Sequence, residues 1–221
     1  MKKKESDLDN PASYRTISLI NAISRILEKI INQRIMNWTE KRNLININKF
    51  HSTQDNILKI AESCKVGIQD GFKCGIVLFD IEKAFDRAPH KKILERLVKY
   101  RSPSLIGKWL CSFLSDRKFQ VAINSKISDK KNIKAGTPQG SPLSPILFSL
   151  LINDIGKVLD KHDILYALFA DDLVIWKIGS RIDHIEKALQ KATSAVFKFF
   201  EKISLNINEI QFSQTKEYPR L

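Results

Sequence analysis

Two adjacent aspartates, Asp171 and Asp172, lie between two apolar, β-prone runs at 165–170 and 173–176. Val, Ile, Phe, Tyr and Trp favour strands and Asp favours turns, so the stretch predicts a β-hairpin whose turn carries both carboxylates. A solvated acidic turn is the ordinary interpretation of an isolated Asp-Asp pair. Apolar flanks on both sides favour instead two carboxylates held at the tip of a rigid element. Their like charges repel each other and favour a cation between them and a third carboxylate.

Asp80 is the candidate for that third carboxylate. The run 75–79 is continuously apolar, which predicts a strand buried on both faces, and Asp80 ends it. Mg²⁺ prefers oxygen ligands and keeps open positions for substrate phosphates. Two such ions about 3.5–4 Å apart can activate an attacking oxygen and stabilise a leaving one. A strand ending in Asp80 beside a hairpin tipped with aspartates therefore predicts a two-metal site.

Four segments, in order, resemble the conserved motifs of reverse transcriptases. Residues 79–86 (FDIEKAFD) resemble motif A, residues 136–145 (GTPQGSPLSP) motif B, and residues 169–172 (FADD) motif C. Residues 10–19 resemble the entry to the fingers of non-LTR retrotransposon enzymes. The FADD form of motif C, together with His90, resembles the jockey-like branch. The four segments are spread over most of the chain, which is identified by them as similar to a truncated non-LTR reverse transcriptase domain.

The resemblance implies an α+β fold, the right-hand polymerase palm. We expect an antiparallel sheet backed by helices, with partial fingers and no thumb. The implied division is partial fingers at 1–74, a palm at 75–213 that includes a fingers-side insert at about 90–135, and a truncated tail at 214–221.

The resemblance also implies the metal ligands. Asp80, Asp171 and Asp172 would be the catalytic carboxylates that bind two Mg²⁺ ions, with Mn²⁺ as the alternative metal. The main chain of Ile81 would add a further ligand. One ion would act on the primer 3′-hydroxyl and the other on the triphosphate and the leaving pyrophosphate.

Three further residues match the family's nucleotide site. Phe85 lies where the family places a gate against a ribose 2′-hydroxyl, and packing in the core is the alternative for its ring. Gln139 and Gly140 would lie near the pair formed by template and nucleotide. Asp86 and His90 match family positions, but the sequence assigns them no chemical step.

The charge balance favours a polyanionic partner. Lys and Arg total 37 against 24 Asp and Glu, a formal net charge of +13. A merely solvated basic surface is the alternative. The implied partners are an RNA template, a DNA primer and deoxynucleoside triphosphates, whereas the oligomeric state stays open. Four lysines around one loop suit phosphate contact near a template, although such loops are usually only solvated: Lys126, Lys130, Lys131 and Lys134.

The chain departs from the family pattern in three places. It passes directly from Phe50 to His51, where relatives carry a Gly-Phe-Arg segment beside the incoming nucleotide. It has 207–211 (INEIQ) where relatives carry a Lys-Thr pair, and Lys216 lies too far along to replace that lysine. The resemblance also implies that a thumb is not among these residues. The predicted function is RNA-directed DNA polymerisation, and the alternative is an inactive retroelement-derived relic that binds RNA or DNA without polymerising.

Apolar residues recur at helical spacing in six stretches, at about 18–38, 53–70, 89–100, 102–114, 141–151 and 181–202. In the first, the residues predicted to face inward are Leu19, Ile20, Ile23, Ile26, Leu27, Ile30, Ile31 and Ile35. In later stretches they include Ala61, Val98 and Leu105. Residues 119–124 alternate as a half-exposed strand does. The alternation of Leu205 and Ile207 changes phase before Ile210 and Phe212, which requires a turn or a bulge, or marks lost residues.

The remaining features concern location. Cys64, Cys74 and Cys111 form no metal-binding spacing and are predicted to be reduced, mostly packed thiols. The first residues have no apolar core of a signal peptide, and no apolar run is long enough to span a bilayer. The sequence therefore predicts an intracellular protein, nuclear or cytoplasmic, that is neither secreted nor in a membrane.

Overall fold

The structure is a computed structural model, and it describes residues 18, 20–44, 53–123, 126–169 and 171–214. The predicted fingers-entry segment up to residue 17, Leu19, the Phe50–His51 junction and Lys216 lie outside the described residues. The helices are α1 (Ala22–Lys41), α2 (Thr53–Gln69), α3 (Ala84–Arg87), α4 (His90–Lys99), α5 (Ser104–Leu114), α6 (Ser144–Ile152), α7 (Ile155–Asp160) and α8 (Ile182–Lys202). The strands are β1 (Lys73–Ile81), β2 (Lys118–Phe119), β3 (Ala122–Ile123), β4 (Lys126–Ile127), β5 (Lys131–Asn132), β6 (Leu165–Phe169), β7 (Asp172–Gly179) and β8 (Ile207–Gln214).

The centre of the fold is an antiparallel four-stranded sheet in the order β6-β7-β1-β8. Helices α4, α6, α7 and α8 supply the core on one side of it, where Leu97, Leu147, Leu159 and Leu189 are buried. The predicted α+β palm architecture, an antiparallel sheet backed by helices, is confirmed.

Strand β1 is buried along one face but only in part on the other, which corrects the prediction that both faces are buried. Successive side chains of a strand point to opposite faces. Val77, Phe79 and Ile81 face the helical core and are at most 3% exposed, whereas Leu78 on the other face is 40% exposed. Helix α2 covers that second face at the far end of β1, around Cys74. The part nearest Asp80 therefore stays open.

Helix α1 is the largest departure from the predicted burial. It begins after Asn21, whose side-chain oxygen accepts a hydrogen bond from the Ser24 main-chain N–H at 2.7 Å. Only its second half packs on α5 and α6, through Ile31, Ile35 and Trp38. The four predicted inward residues of its first half are exposed: Ile23, Ile26, Leu27 and Ile30.

The other helices follow the predicted stretches, with local corrections. Ala61, Val98 and Leu105 were predicted to face inward, and all three are exposed. Helix α5 begins at Ser104, because Pro103 is still extended (φ −53°, ψ 136°). Helix α6 begins at Ser144 and not at the Ser141-Pro142 pair. The Ser141 hydroxyl accepts a hydrogen bond from the Leu143 N–H at 3.1 Å, in the turn before the helix.

The predicted strand at 119–124 is interrupted. β2 pairs with β5 and β3 pairs with β4, and residues 120–121 separate the two short ladders. We call residues 117–134 the basic ribbon, since its described part carries five lysines that are all exposed.

Candidate active site

The pairing of β1 with β7 brings two of the predicted catalytic carboxylates together. Asp80 and Asp172 are direct cross-strand partners, at the end of β1 and the start of β7. Directly opposite residues of an antiparallel pair have Cβ atoms about 4.5–5.5 Å apart. Asp171 lies in the turn of the β6–β7 hairpin, and Asp172 is the first residue of β7. The predicted hairpin is confirmed, but only one of its two aspartates lies in the turn itself.

The three aspartates oppose one another electrostatically. Burial, then the charge of Asp171, then the charge of Asp80 raise the pKa of the Asp172 carboxyl above its usual range. Like charges directly opposite across two strands destabilise a sheet. The site therefore holds negative charge that a cation would neutralise, and carboxylate oxygens are ligands that Mg²⁺ prefers.

Strand β8 places two further residues beside Asp80, and the sequence did not assign either of them to this site. Glu209 pairs with Asp80 on the other side of β1. The register then shifts between Asp80 and Ile81, so Asn208 is the extra residue of a β-bulge. The Asn208 side-chain nitrogen donates to Asp80 Oδ2 at 3.1 Å. The phase change at 207–210 indicated the bulge, but only the pairing shows which carboxylate it meets.

The described residues contain no group of three His, Cys, Asp or Glu side chains placed closely enough to hold a metal ion. The candidate ligands that the fold pairs are Asp80 and Asp172, with Asp171 as a nearby third charge. One or two carboxylates are the usual protein share of a Mg²⁺ site whose other positions are taken by substrate phosphates and water.

The predicted motif B loop, residues 136–141, lies directly on the turn that follows Asp80. The Gly136 N–H donates to the Ala88 carbonyl and the Thr137 N–H donates to the Phe85 carbonyl, both at 2.8 Å. Gly136 has φ +92°, and a Cβ added there would come within 2.5 Å of the Asp86 carbonyl oxygen. Only glycine allows the two main chains to approach so closely.

Asp86 and His90, which the sequence left without a role, both bond this loop. His90 is buried, and its Nε2 lies 2.7 Å from the Gly136 carbonyl oxygen. Because a carbonyl only accepts, Nε2 carries the proton. The Gln139 Nε2 donates to Asp86 Oδ1 at 2.9 Å and to Oδ2 at 3.0 Å.

Phe85 is half-buried beside the same loop. Its ring packs against Phe148 with 5.1 Å between ring centroids. The packing that was the alternative for this ring is thus present, and its role as a gate against ribose stays a prediction. The ring of Trp109 is likewise half-buried, and it stacks on Phe113 at 5.1 Å.

Ser18, which precedes helix α1, and Glu28 within that helix contact the far end of the loop. The Ser18 N–H donates to the Gln139 carbonyl at 3.0 Å, and the Ser141 hydroxyl donates to the buried carboxylate of Glu28. Gly140, with φ +99°, is exposed between these two contacts. The loop is therefore held from two sides, by α1 and by the turn after Asp80.

The four lysines predicted to contact nucleic acid are all exposed on the basic ribbon: Lys126, Lys130, Lys131 and Lys134. The ribbon leads into the 136–141 loop through a bridge between Ala135 and Pro89. Phe119 and Ile127 add exposed apolar surface to it. The structure thus places the four lysines on the basic ribbon, and not on the strands that carry Asp80 and Asp172.

Comparisons with known proteins show what this chain is similar to. The family model described as "Reverse transcriptase (RNA-dependent DNA polymerase)" matches residues 1–217. The RNA-directed DNA polymerase of the mobile element jockey from Drosophila funebris is 30% identical over 93% of this chain and 23% of its own length. A probable RNA-directed DNA polymerase from transposon BS of Drosophila melanogaster is 27% identical over 90% of this chain and 23% of its own length. The chain thus spans about a quarter of these curated relatives.

Solved structures of similar fold include two telomerases. Apo telomerase from Candida tropicalis, truncated of its C-terminal domain, has a TM-score of 0.64 and 15% identity over 87% of this chain and 41% of its own. Telomerase from Candida albicans in complex with a fragment of telomeric RNA has a TM-score of 0.63 and 16% identity over 90% of this chain and 35% of its own. No helix within the described ranges is long and apolar enough to cross a membrane.

Proposed function

We propose that this chain, which belongs to the reverse transcriptase family in the class found in non-LTR retrotransposons, polymerises DNA on an RNA template. The observation that carries the proposal is the pairing of Asp80 with Asp172 at the ends of the two central strands of the sheet, with Asp171 beside them. The proposed substrates are deoxynucleoside triphosphates, and the proposed macromolecular partners are an RNA template and a DNA primer.

The carboxylates are the proposed metal ligands. Asp80, Asp171 and Asp172, with the main chain of Ile81, would hold two Mg²⁺ ions, or Mn²⁺ in their place. Such ions supply Lewis acidity for nucleotidyl transfer. The raised pKa of Asp172 supports this assignment, because its causes are burial and unbalanced negative charge that a divalent cation would offset. Asn208 orients one oxygen of Asp80 by donating a hydrogen bond to it.

The nucleotide site is proposed between the turn after Asp80 and the 136–141 loop. The carbonyl of Phe85 is bonded to Thr137, so its half-buried ring is set beside the loop that carries Gln139 and Gly140. A bulky ring in that place would exclude a ribose 2′-hydroxyl and favour deoxynucleotides. We assign 1–74 to partial fingers, 75–213 to the palm with its insert at about 90–135, and 214–221 to the tail.

The proposed test is primer extension on an RNA template with deoxynucleotides and Mg²⁺, beside the variant Asp171→Asn. The variant removes one carboxylate charge and keeps the shape of the side chain. We expect extension by the unaltered chain and a loss of at least about 100-fold in the variant, the order found when a group that stabilises transition-state charge is removed. Melting temperatures of the two proteins show whether the variant is folded.

Two other outcomes would contradict the proposal. Extension that survives Asp171→Asn would remove the hairpin carboxylates from the reaction. Tight, salt-sensitive binding of the primer–template without any extension by the unaltered chain would instead support the relic that binds without polymerising.

A further inference from the structure

The hydrogen bond between Gln139 and Asp86 determines which way the Gln139 amide points. A carboxylate only accepts hydrogen bonds, so the amide nitrogen must face Asp86, at 2.9 and 3.0 Å from its two oxygens. Hydrogen bonds to an ionised acceptor are about twice as strong as neutral ones. The remaining polar atom of the amide, Oε1, is then presented as an acceptor in a fixed orientation.

This bond is not what holds the 136–141 loop in place. Three other bonds fix the main chain of the loop: Gly136 N–H to the Ala88 carbonyl, Thr137 N–H to the Phe85 carbonyl, and His90 Nε2–H to the Gly136 carbonyl. Gly136, Thr137, Ala88 and His90 are buried, so these bonds are shielded from water. The position of the loop therefore does not depend on the Asp86 side chain.

The bond between Asp86 and Gln139 lies on the solvent-accessible side of the contact between the 136–141 loop and the turn after Asp80. Asp86 is exposed and Gln139 is half-buried, whereas the three loop residues before Gln139, 136–138, are buried. A solvated carboxylate gains little stability from one exposed bond. The bond instead restricts a side chain that a ligand can reach.

We propose that Asp86 is a positioning residue, which fixes the Gln139 amide so that its Oε1 accepts a hydrogen bond from the incoming nucleotide. This inference rests on the proposed polymerase function. It gives Asp86 a role through Gln139 alone, with no contact of its own to the substrate. Without Asp86, the amide can rotate and present its nitrogen in place of its oxygen, which lowers affinity for the nucleotide.

The test is a double-mutant cycle read out as nucleotide binding. The chain is mixed with an RNA template and a DNA primer that ends in a dideoxynucleotide, so that no bond can form. The dissociation constant of the next complementary deoxynucleoside triphosphate is then measured for the unaltered chain, Asp86→Asn, Gln139→Met and the double variant. Met has nearly the length of Gln and no amide.

Glu82→Gln is the matched control. It removes the same charge from the same segment, but Glu82 accepts its hydrogen bond from Arg87 and not from the loop. Melting temperatures and the affinity for primer–template without nucleotide are measured for every variant. We expect both to be unchanged in Asp86→Asn, because neither depends on the orientation of the Gln139 amide.

For residues that act as one unit, the effects of single changes do not add. We expect Asp86→Asn to weaken nucleotide binding about 5–20-fold in the unaltered background and less than about 2-fold in the Gln139→Met background. The control Glu82→Gln should stay within about 2-fold of the unaltered chain.

Every other result would overturn either the positioning role of Asp86 or the proposed polymerase function. Equal effects of Asp86→Asn in both backgrounds, or no effect in either, would overturn the positioning role and leave the proposed function intact. Weaker binding of primer–template to Asp86→Asn would also overturn it, since that indicates a structural role or a direct contact. If the unaltered chain binds primer–template but no nucleotide, the proposed function fails, and the positioning role fails with it.

Discussion

At the scale of single residues, Asp172 offers a test that needs no substrate. Burial, Asp171 and Asp80 raise its pKa, so its folded-state pKa lies above the unfolded value. The stability from such a group is present below the unfolded pKa and is lost as pH rises through the folded one. In buffer free of divalent ions we therefore expect Asp172→Asn to raise the melting temperature at pH 7 by about 1–3 °C, and to have no effect near about pH 3.

Asp163→Asn is the control of opposite sign, measured in the same melting series. A hydrogen bond from Lys177 and the charge of Lys177 lower the pKa of the Asp163 carboxyl, which is fully exposed. Removing that charge should bring no gain at pH 7. A lower melting temperature for Asp172→Asn at pH 7 would contradict the repulsion inferred among the three aspartates.

The sequence contained part of this residue-scale picture. Asp80, Asp171 and Asp172 could be predicted because each follows or joins a strongly β-prone run. Glu209 and Asn208 could not be assigned to the same edge, since their partner depends on the register of β8 on β1 and on where the bulge falls. Register is set by pairing between strands that are far apart in the chain. Asp80 and Asn208, for example, are separated by 128 positions in the sequence.

At the scale of elements, the contact between the 136–141 loop and the turn after Asp80 can be tested with two glycines. Gly136 and Gly71 have similar positive φ, +92° and +81°, so alanine is strained at both positions. A Cβ at Gly136 would meet the Asp86 carbonyl at 2.5 Å, whereas at Gly71 it would meet nothing within 4 Å. We expect Gly71→Ala to cost about 1 kcal/mol of unfolding free energy, and Gly136→Ala to cost about 2 kcal/mol or more.

The measurement is denaturant unfolding of the two variants beside the unaltered chain, with primer extension on the same samples. Gly71 precedes β1 at the end of the strand opposite Asp80, so only Gly136→Ala should also reduce extension, because it pushes the loop off the turn. Equal losses of stability for the two variants would show that the loop can move aside at no cost, and that the close approach is not required.

Element positions were predictable where a periodic pattern was long, as in α8 and α4. The burial of the elements was not predictable, because helical spacing shows which residues share a face but not how much of that face is covered by other elements. Helix α1 illustrates this limit: its apolar stripe runs its whole length, and only the half that reaches α5 and α6 is buried. The break at residues 120–121 is likewise set by which short segments find partners.

At the scale of the whole molecule, the net charge of +13 predicts a polyanionic partner but not the surface that meets it. The fold places two groups of exposed lysines apart from each other. One group is the basic ribbon, which leads into the 136–141 loop. Another lies on the outer face of α8, on the side of the sheet opposite Asp80, where Lys187, Lys191, Lys198 and Lys202 are all exposed.

These two groups allow a matched comparison, since four lysines can be changed to glutamine in each. The ribbon set is Lys126, Lys130, Lys131 and Lys134, and both variants have the same net charge. If the ribbon contacts backbone phosphates, each lysine lost removes about 0.7–0.9 from the magnitude of the slope of log K against log salt. We therefore expect the ribbon variant to lower that slope by about 3, measured by titrating a labelled RNA–DNA duplex at several salt concentrations.

The α8 variant distinguishes local phosphate contact from overall electrostatic attraction. Overall attraction depends on the sum of all charges, so the loss of four lysines would weaken duplex binding equally in both variants. Salt screens this attraction beyond about 10 Å. Direct phosphate contact acts only where counterions are displaced, so the α8 variant should keep the slope of the unaltered chain to within about 1. Equal slopes for the two variants would assign the binding to net charge alone, and would remove the ribbon from the nucleic-acid interface.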